Sequence, residues 1–178
     1  MKNNPALIEI TPEKHGVVVH MAYATNQNML GKAVYQNDNC LLHSDAADAL
    51  SLATSLAELA GYKIKILDAY RSQDDHKRLW NFLPNPNYVA DIATGSNHSR
   101  GVALDVTLVD QNDCELDMGT DFDVMEETSG HFHPAHPPHV QINRLVLLGI
   151  MKAAGFVHIS TEWWHYELPD AKSYPFIK

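Results

Sequence analysis

The distribution of apolar and polar residues along the chain predicts an irregular succession of strands and helices. Apolar or alternating runs predict strands at residues 17–23, 62–70 and 101–109. Helical spacing predicts helices over residues 44–61, 72–83 and 138–155. Two short strands are predicted near the end of the chain, in "FVHIS" and "WWHYEL". Because strands and helices do not alternate regularly, this order favours an α+β fold, mainly an antiparallel sheet flanked by helices.

Capping residues support two of these helices. Ser44 is a candidate N-cap of the first helix, and Gly61 is a candidate C-terminal stop. Ser72 is the candidate N-cap of the second helix, where Asp74 and Asp75 favour the positive end of the helix dipole. These residues predict where the two helices begin.

Length, charge and cysteine content narrow the class of protein. The 178 residues suit a single domain over residues 1–178 with one sizeable core. A formal net charge of -9, without a basic patch, argues against nucleic acid as a partner. No apolar run reaches membrane-spanning length, and the first residues do not resemble a signal peptide. Cys40 and Cys114 do not make a disulfide framework, so we expect a cytoplasmic protein with free thiols.

Two stretches place charged residues where a buried core is expected. Asp105 interrupts the apolar run "VALDVTLV", and a buried carboxylate is costly unless it is paired or bound to a metal. In "STEWWHYELPD", residues 160–170, Glu162 and His165 lie among two tryptophans and a tyrosine. A satisfied pair in an aromatic core and a metal site both explain this second stretch when it is taken alone.

A metal site is favoured once the two stretches are combined with His98. This histidine lies seven residues before Asp105, and Gly101 permits a tight turn between them. His98, Asp105 and His165 supply two imidazoles and one carboxylate, the ligand count of a catalytic zinc site with an open fourth position. Glu162 is then available as the general base beside one zinc ion per chain. Because residues three apart face opposite sides of a strand, the chain must bend between Glu162 and His165.

A histidine-rich stretch is a rival metal site. "HFHPAHPPH", residues 131–139, contains four of the eleven histidines, and such tracts can bind metal. Its prolines predict an irregular loop, and no carboxylate or cysteine is interleaved. We therefore expect a loop near the mouth of the pocket, with adventitious metal binding at most.

The motifs around the candidate ligands resemble those of a known enzyme family. "SNHSRGVALD" fits the pattern SxHxxGxAxD, and "EWWH" fits the pattern ExxWH, of the zinc D-Ala-D-Ala peptidases. More closely, the chain resembles the D-alanyl-D-alanine dipeptidases, the vancomycin-resistance dipeptidase group. The similarity spans nearly the whole chain and includes "AYATNQNMLGKAVY", "DAYRSQ", "DMGTDFD" and "EWWHYELP".

This resemblance implies both a fold and a reaction. The implied fold is the one shared by the hedgehog domain and the D-Ala-D-Ala peptidases. The implied reaction is hydrolysis of the small dipeptide D-Ala-D-Ala to two D-alanines, in the context of cell-wall metabolism. Zinc would be held by His98, Asp105 and His165, and Glu162 would activate the zinc-bound water.

The resemblance also implies roles in transition-state and substrate binding. Arg71, in the D-A-Y-R motif, is implied to stabilise the transition state, although a surface ion pair with an aspartate of the second helix is its alternative. Asp123, in the M-G-x-x-F-D motif, is implied to hold the free amine of the substrate, although a solvated or capping carboxylate is its alternative. Ser96 and Tyr23 are weaker candidates for the substrate pocket, because a turn hydrogen bond or simple packing explains them equally well.

Two departures from the family pattern concern the wall of the substrate pocket. The family often has a proline where this chain has Ser72, and the N-terminal motif reads "NMLG" without its usual aromatic residue. Neither departure touches the residues implied in the zinc chemistry.

Competing functions differ in the residues that they require. A murein carboxypeptidase or endopeptidase would be expected to carry an export signal and would not need Asp123. A zinc-binding module without catalysis, as in the hedgehog domain, need not keep Glu162 and Arg71. A histidine-rich metal-storage protein would need a larger ligand set. The sequence leaves the oligomeric state and the physiological role open.

Overall fold

Seven strands form two sheets in the part of the chain that the structure describes. The computed structural model describes residues 7–86 and 89–177. The strands are β1 Leu7–Glu9, β2 Val18–Val19, β3 Leu41–His43, β4 Lys63–Asp68, β5 Ala103–Val109, β6 Val157–His158 and β7 His165–Glu167. Strands β1 and β3 pair with each other, and the larger sheet has the order β2-β4-β5-β7-β6. Within it only β2 and β4 are parallel, so the predicted, mainly antiparallel α+β architecture is confirmed.

Four α-helices and four short 3-10 turns complete the described fold. The helices are α1 Pro12–His15, α2 Ser44–Leu59, α3 Gln73–Phe82 and α4 Pro138–Ala153. The 3-10 turns are Ala22–Ala24, Asn97–Arg100, Glu127–Ser129 and Ala171–Ser173. Helix α2 packs against both β4 and α4, so the two long helices and the sheet enclose the main apolar core. No helix among the described residues combines the length and apolar character needed to cross a bilayer.

The predicted helix starts agree with the structure, with one correction. Ser72 caps α3, because its hydroxyl accepts a hydrogen bond from the backbone N–H of Asp75. Ser44, predicted as the cap of α2, is instead its first helical residue. The cap is His43, whose ring nitrogen accepts the backbone N–H of Asp45. An imidazole nitrogen serves here as the acceptor that a serine oxygen was expected to provide.

The strand predicted over residues 17–23 is shorter than expected. Only Val18 and Val19 pair with β4, and the chain then turns through Ala22–Ala24. The carbonyl of Tyr23 accepts the backbone N–H groups of Val34 and Tyr35 instead of continuing a sheet ladder. This early turn places the buried Tyr23 side chain at the end of the sheet, where the candidate site lies.

Strand β5 is the central strand of the larger sheet and contains Asp105. All seven of its residues are buried, as its apolar sequence predicts. Its register pairs Asp105 with His165 on β7 and with Asp68 on β4, where the ladder shifts by one residue. Three polar side chains therefore lie in one row across three neighbouring strands, at a depth where each requires a partner.

The turn before β5 is held from outside by the chain's last described residues. Arg100 lies 3.8 Å from the ring centre of Phe176, and the backbone N–H of Ile177 donates to Ser99. Gly95 has φ +67°, and the Phe176 ring occupies the space that a β-carbon would need there. These contacts fix the segment that contains His98.

Candidate metal centre and catalytic cavity

The three predicted metal ligands converge at one end of β5. Each of His98, Asp105 and His165 offers a ligand atom, and these atoms lie within 4.8 Å of one another. The nearest oxygen of Asp105 is 3.0 Å from Nδ1 of His165 and 3.5 Å from Nε2 of His98. Among the residues that the structure describes, this is the only such group of three histidine, cysteine or acidic side chains.

The separations of 3.0 and 3.5 Å are close to those around a tetrahedral metal ion. Bonds of about 2.0–2.2 Å to nitrogen and oxygen place the ligand atoms of a tetrahedral zinc roughly 3.3–3.6 Å apart. The protonation of His98 also suits a ligand. Its Nδ1 lies 2.8 Å from the carbonyl oxygen of Ala69, which can only accept, so Nδ1 carries the proton. Nε2 is therefore the nitrogen with a free lone pair, and it is the one that faces Asp105.

His165 lies between two carboxylates. Its Nδ1 faces Asp105, and its Nε2 lies 3.1 Å from an oxygen of Glu167. Burial alone would lower the pKa of His165, but its hydrogen bonds to both carboxylates raise this pKa to about 10. Burial alone would likewise raise the pKa of Asp105, but the imidazoles of His98 and His165 hold it well below its ordinary value. The cluster therefore keeps an ionised carboxylate in a buried position.

Glu162 reaches the same region through a bend in the chain. Residues 161, 163 and 164 are bends, and the strand begins only at His165, so the bend that the sequence required is present. Backbone hydrogen bonds fix it on both sides, since Trp163 donates to Ser129 and Val106 donates to Trp164. Burial raises the pKa of Glu162 above its ordinary value. A carboxylate with a raised pKa is a better proton acceptor, as a general base requires.

One cavity of about 310 Å³ brings all the predicted site residues together. The eight predicted residues that line it are Tyr23, Arg71, Ser96, His98, Asp105, Asp123, Glu162 and His165. Its volume is at the small end of the range for small-molecule sites. The sequence thus identified residues from five separate segments that share one cavity, while their individual roles remain predictions.

Arg71 is held rigidly at the wall of this cavity. Its Nη2 donates to Asp68 at 2.7 Å, and its Nε donates to the hydroxyl of Tyr35 at 2.8 Å. The Tyr35 hydroxyl in turn donates to Asp68, whose carboxylate is completely buried. The alternative of a surface pair with Asp74 or Asp75 is wrong, because the guanidinium is buried and its ion pair is with Asp68. Nη1 is left to serve a ligand in the cavity.

Asp123 also lines this cavity, in an unusual backbone conformation. Its φ is +68°, in the left-handed region that aspartate and asparagine tolerate better than most residues. Its two oxygens accept hydrogen bonds from the Tyr23 hydroxyl at 2.8 Å and the Met29 N–H at 3.1 Å. Burial raises the pKa of Asp123 to about 6, although these two donors act in the opposite direction. The alternative of a solvated carboxylate is therefore wrong.

The loop that carries Asp123 is attached to α4 by a buried arginine. Arg144 is fully buried and donates to the carbonyls of Met118, Thr128 and Gly130. These carbonyls lie on both sides of Asp123 along the chain. One side chain therefore holds both ends of the loop, which gives an irregular segment a defined position.

The other predicted residues have structural explanations beside their place in the cavity. The Ser96 hydroxyl accepts the backbone N–H of His98 and so caps the 3-10 turn, which is the turn hydrogen bond considered as its alternative. In the histidine-rich stretch, His131 is buried against Tyr166 and His158, and His139 pairs with Asp117 at the surface. Of the described residues around the 310 Å³ cavity, none belongs to that stretch.

Besides Arg144, sequence reasoning missed four residues that support the site. These are Tyr35, Asp68, Asn97 and Glu167. Asp68 could have been found by the same signal as Asp105, an aspartate at the end of an apolar strand. Glu167 is two residues from His165, so the period of a strand places both on one face. Tyr35 and Asn97 carry no comparable signal, because their partners are distant in sequence or specified only by the fold.

Three clustered ligands with a carboxylate and an arginine in one small cavity are typical of a hydrolytic metalloenzyme. The family model described as D-Ala-D-Ala dipeptidase matches residues 6–176. The chain belongs to this family, and its members are metallopeptidases.

Curated relatives match over almost the whole chain. The D-alanyl-D-alanine dipeptidase of Escherichia coli K12 is 47% identical over 177 residues, which cover 99% of this chain and 92% of that protein. The D-alanyl-D-alanine dipeptidase of Enterococcus faecium is 34% identical over 182 residues, with 90% of each chain covered. That of Enterococcus faecalis is 33% identical with the same coverage.

Proposed function

We propose that this peptidase hydrolyses the free dipeptide D-Ala-D-Ala to two D-alanines, using one zinc ion held by His98, Asp105 and His165. The observation that supports this most strongly is the single small cavity in which these three side chains face Glu162, Arg71 and Asp123. The names of the relatives support the choice of substrate.

The proposed chemistry divides between the ion and the protein. When bound, zinc supplies a Lewis acid that polarises the scissile carbonyl and lowers the pKa of water to about 7. Glu162 accepts the proton of the attacking water and then donates it to the nitrogen of the leaving D-alanine. Its place beside the ligand cluster and its raised pKa support both steps.

Arg71 stabilises the negative charge that develops on the carbonyl oxygen. Its guanidinium cannot reorient freely, because Asp68 and Tyr35 hold two of its three nitrogens. A donor fixed in advance costs no reorganisation when the charge appears, and one such donor contributes about 10²–10³ in rate. Because Arg71 is itself buried, its interaction with a developing charge is stronger than it would be in water.

Asp123 binds the free ammonium of the dipeptide. Each of its oxygens accepts one hydrogen bond from the protein, which leaves lone pairs for a further donor. A charge-assisted hydrogen bond to this carboxylate contributes about 1.5–3 kcal/mol. An acylated amine lacks the charge and would leave the carboxylate unpaired, so peptides extended at the amine should be rejected.

A carboxypeptidase or endopeptidase acting on longer peptides is the second candidate. One observation favours it: a larger groove of about 1030 Å³ lies beyond Asp123, which borders both spaces. Against it, the Asp123 side chain is buried and hydrogen-bonded to Tyr23 and Met29. It therefore separates the small cavity from the larger groove.

An amine-release assay distinguishes these functions. D-Ala-D-Ala, L-Ala-L-Ala and N-acetyl-D-Ala-D-Ala are each incubated with the protein, with and without a zinc chelator. We expect hydrolysis of free D-Ala-D-Ala only, lost with chelator and restored by zinc. Equal cleavage of the free and N-acetylated dipeptides would overturn the dipeptidase proposal in favour of the second candidate.

A further inference from the structure

Glu167 makes contacts that the proposed mechanism does not use. It lies on β7 two residues after His165, so both side chains project from the same face of the strand. Its Oε2 lies 3.1 Å from Nε2 of His165 and accepts a hydrogen bond of 2.9 Å from Nδ2 of Asn97. One carboxylate oxygen thus contacts two segments of the candidate metal centre.

These two segments carry the two histidines of the centre. Asn97 directly precedes His98 in the 3-10 turn, whereas His165 begins β7. Glu167 is in register with Ala103 on β5, whose small side chain leaves room for the carboxylate. Glu167 therefore links the two elements at the point where their imidazoles must keep a fixed separation.

The two contacts of His165 also distinguish its ring nitrogens. Nδ1 faces Asp105, one of the other candidate ligands, whereas Nε2 faces Glu167. A proton held on Nε2 by the Glu167 carboxylate would leave Nδ1 to bind a metal once Nδ1 has lost its own proton. Without this acceptor the imidazole could rotate or adopt the other tautomer. His98 is oriented differently, by the carbonyl of Ala69, so each histidine has its own acceptor.

Glu167 is not itself one of the clustered ligands. The group of three within 4.8 Å consists of His98, Asp105 and His165, and among the described residues Glu167 does not join it. Its side chain is 20% exposed at the cavity wall, so it is accessible enough to be replaced without a large loss of packing.

We propose that Glu167 is a positioning residue for the metal centre: it orients His165 for metal binding through Nδ1 and, through Asn97, fixes the segment that carries His98. This inference rests on the proposed zinc site. Replacement of the hydrogen-bond partner of a metal-binding histidine typically weakens metal binding about 10–100-fold. Glu167 should therefore control zinc affinity more than it controls turnover of the zinc-loaded enzyme.

The test measures zinc binding directly, without substrate. Zinc affinity is determined by competition with a chromophoric chelator for wild type, Glu167→Gln and Glu167→Ala. We expect a loss of about tenfold for Glu167→Gln, which keeps a neutral acceptor, and up to about 100-fold for Glu167→Ala. The matched control is Glu115→Gln, which removes a half-exposed carboxylate paired with Lys65 and should leave zinc affinity unchanged.

A spectroscopic signature separates orientation from general stability. The Nε2 proton of His165 should be visible by NMR in the zinc-loaded wild type and Glu167→Gln, and should exchange rapidly in Glu167→Ala. A purely structural role would instead lower the melting temperature of the zinc-free protein and leave zinc affinity and this proton unchanged. That result would overturn the proposal.

Asn97→Ala provides a second test of the role of Glu167. It removes only the link to the neighbouring turn, so we expect a loss of zinc affinity of roughly threefold to tenfold. Because Asn97 acts through Glu167, the double variant with Glu167→Ala should bind zinc no more weakly than Glu167→Ala alone. Wild-type affinity in all these variants would refute the role of Glu167. Absence of zinc binding by the wild type would instead refute the metal site itself.

Discussion

On one wall of the cavity, which we call the metal side, His98, Asp105 and His165 lie on or next to central strands. The amine side consists of Tyr23 and Asp123, which line the cavity, and Met29, which bonds to Asp123; these residues lie on a 3-10 turn and irregular loops. The metal side is positioned by strand register, which pairs Asp105 directly with His165. The amine side is positioned by hydrogen bonds between segments about a hundred residues apart.

This difference suits the two sides to different tasks, metal binding and substrate selection. Metal ligands require separations fixed to within a few tenths of an ångström, which a sheet ladder provides at no additional cost. Substrate selection depends on loops, which can change without disturbing the sheet. We therefore expect variants on the metal side to affect zinc content and kcat, and variants on the amine side to affect KM.

The largest effect is expected for His165→Ala. Loss of one of three protein ligands should remove stoichiometric zinc and with it measurable activity. Elemental analysis of purified protein and the D-alanine release assay measure the two outcomes, with circular dichroism to verify the fold. Full zinc occupancy in a folded variant would show that His165 is not a ligand.

Glu162→Ala should lose activity while it keeps its metal. Removal of a general base reduces kcat by about 10²–10⁴-fold, and zinc content should stay at one per chain because Glu162 is not a ligand. Steady-state kinetics and elemental analysis on the same preparation test both parts. Turnover near the wild-type rate would mean that another group accepts the proton.

On the amine side, Asp123→Asn should lower kcat/KM for D-Ala-D-Ala by a factor on the order of 10–100. The loss corresponds to the charge-assisted hydrogen bond to the ammonium and should appear mainly in KM. The matched control is Asp121→Asn, an exposed carboxylate in the same loop. If N-acetyl-D-Ala-D-Ala loses as much as the free dipeptide in this variant, Asp123 does not recognise the amine.

The amine side should also respond to pH. Asp123, with its pKa raised to about 6 by burial, gains a proton as the pH falls and then no longer pairs with the ammonium. The charged or titratable groups that act on it are Tyr23, Arg71 and Asp105. In the inactive Glu162→Ala background, the Kd of the dipeptide should rise roughly tenfold between pH 7 and pH 5.

Calorimetry at several pH values measures this dependence. The control adds Asp123→Asn to the same background, which should flatten this part of the profile because an amide does not titrate. An unchanged profile in the double variant would assign the dependence to another group, such as one in the metal centre.

The smallest effect is expected for Tyr35→Phe. It removes the uncharged one of the two protein acceptors that hold Arg71, whereas the ion pair with Asp68 remains. We expect kcat to fall about twofold to tenfold with little change in KM, because the proposed role of Arg71 is to stabilise the transition state. Tyr62→Phe, a half-buried tyrosine packed against the main core, is the control. A larger change in KM than in kcat would contradict this role.

The metal side was easier to predict from the sequence than the amine side. Asp105 and His165 could be predicted because each stands out against an apolar or aromatic background, and His98 because it lies seven residues before Asp105. Arg71 and Asp123 were identified by family resemblance, since nothing local distinguishes them from surface residues. Arg144 was missed, because the three carbonyls that it binds are brought to α4 only by the complete fold. The shortened strand after Val19 was missed for the same reason.

The left-handed conformation of Asp123 has a consequence for how the specificity of this protein can change over generations. Most side chains are strained at φ +68°, so substitutions to bulkier or branched residues would be removed by their cost to folding. Asparagine and glycine tolerate this conformation, and a single nucleotide change converts an aspartate codon into either. Both would remove the charge that we propose binds a free amine, in a backbone conformation that both residues tolerate. The substitutions that this backbone conformation tolerates should therefore give folded enzymes with broader substrate ranges.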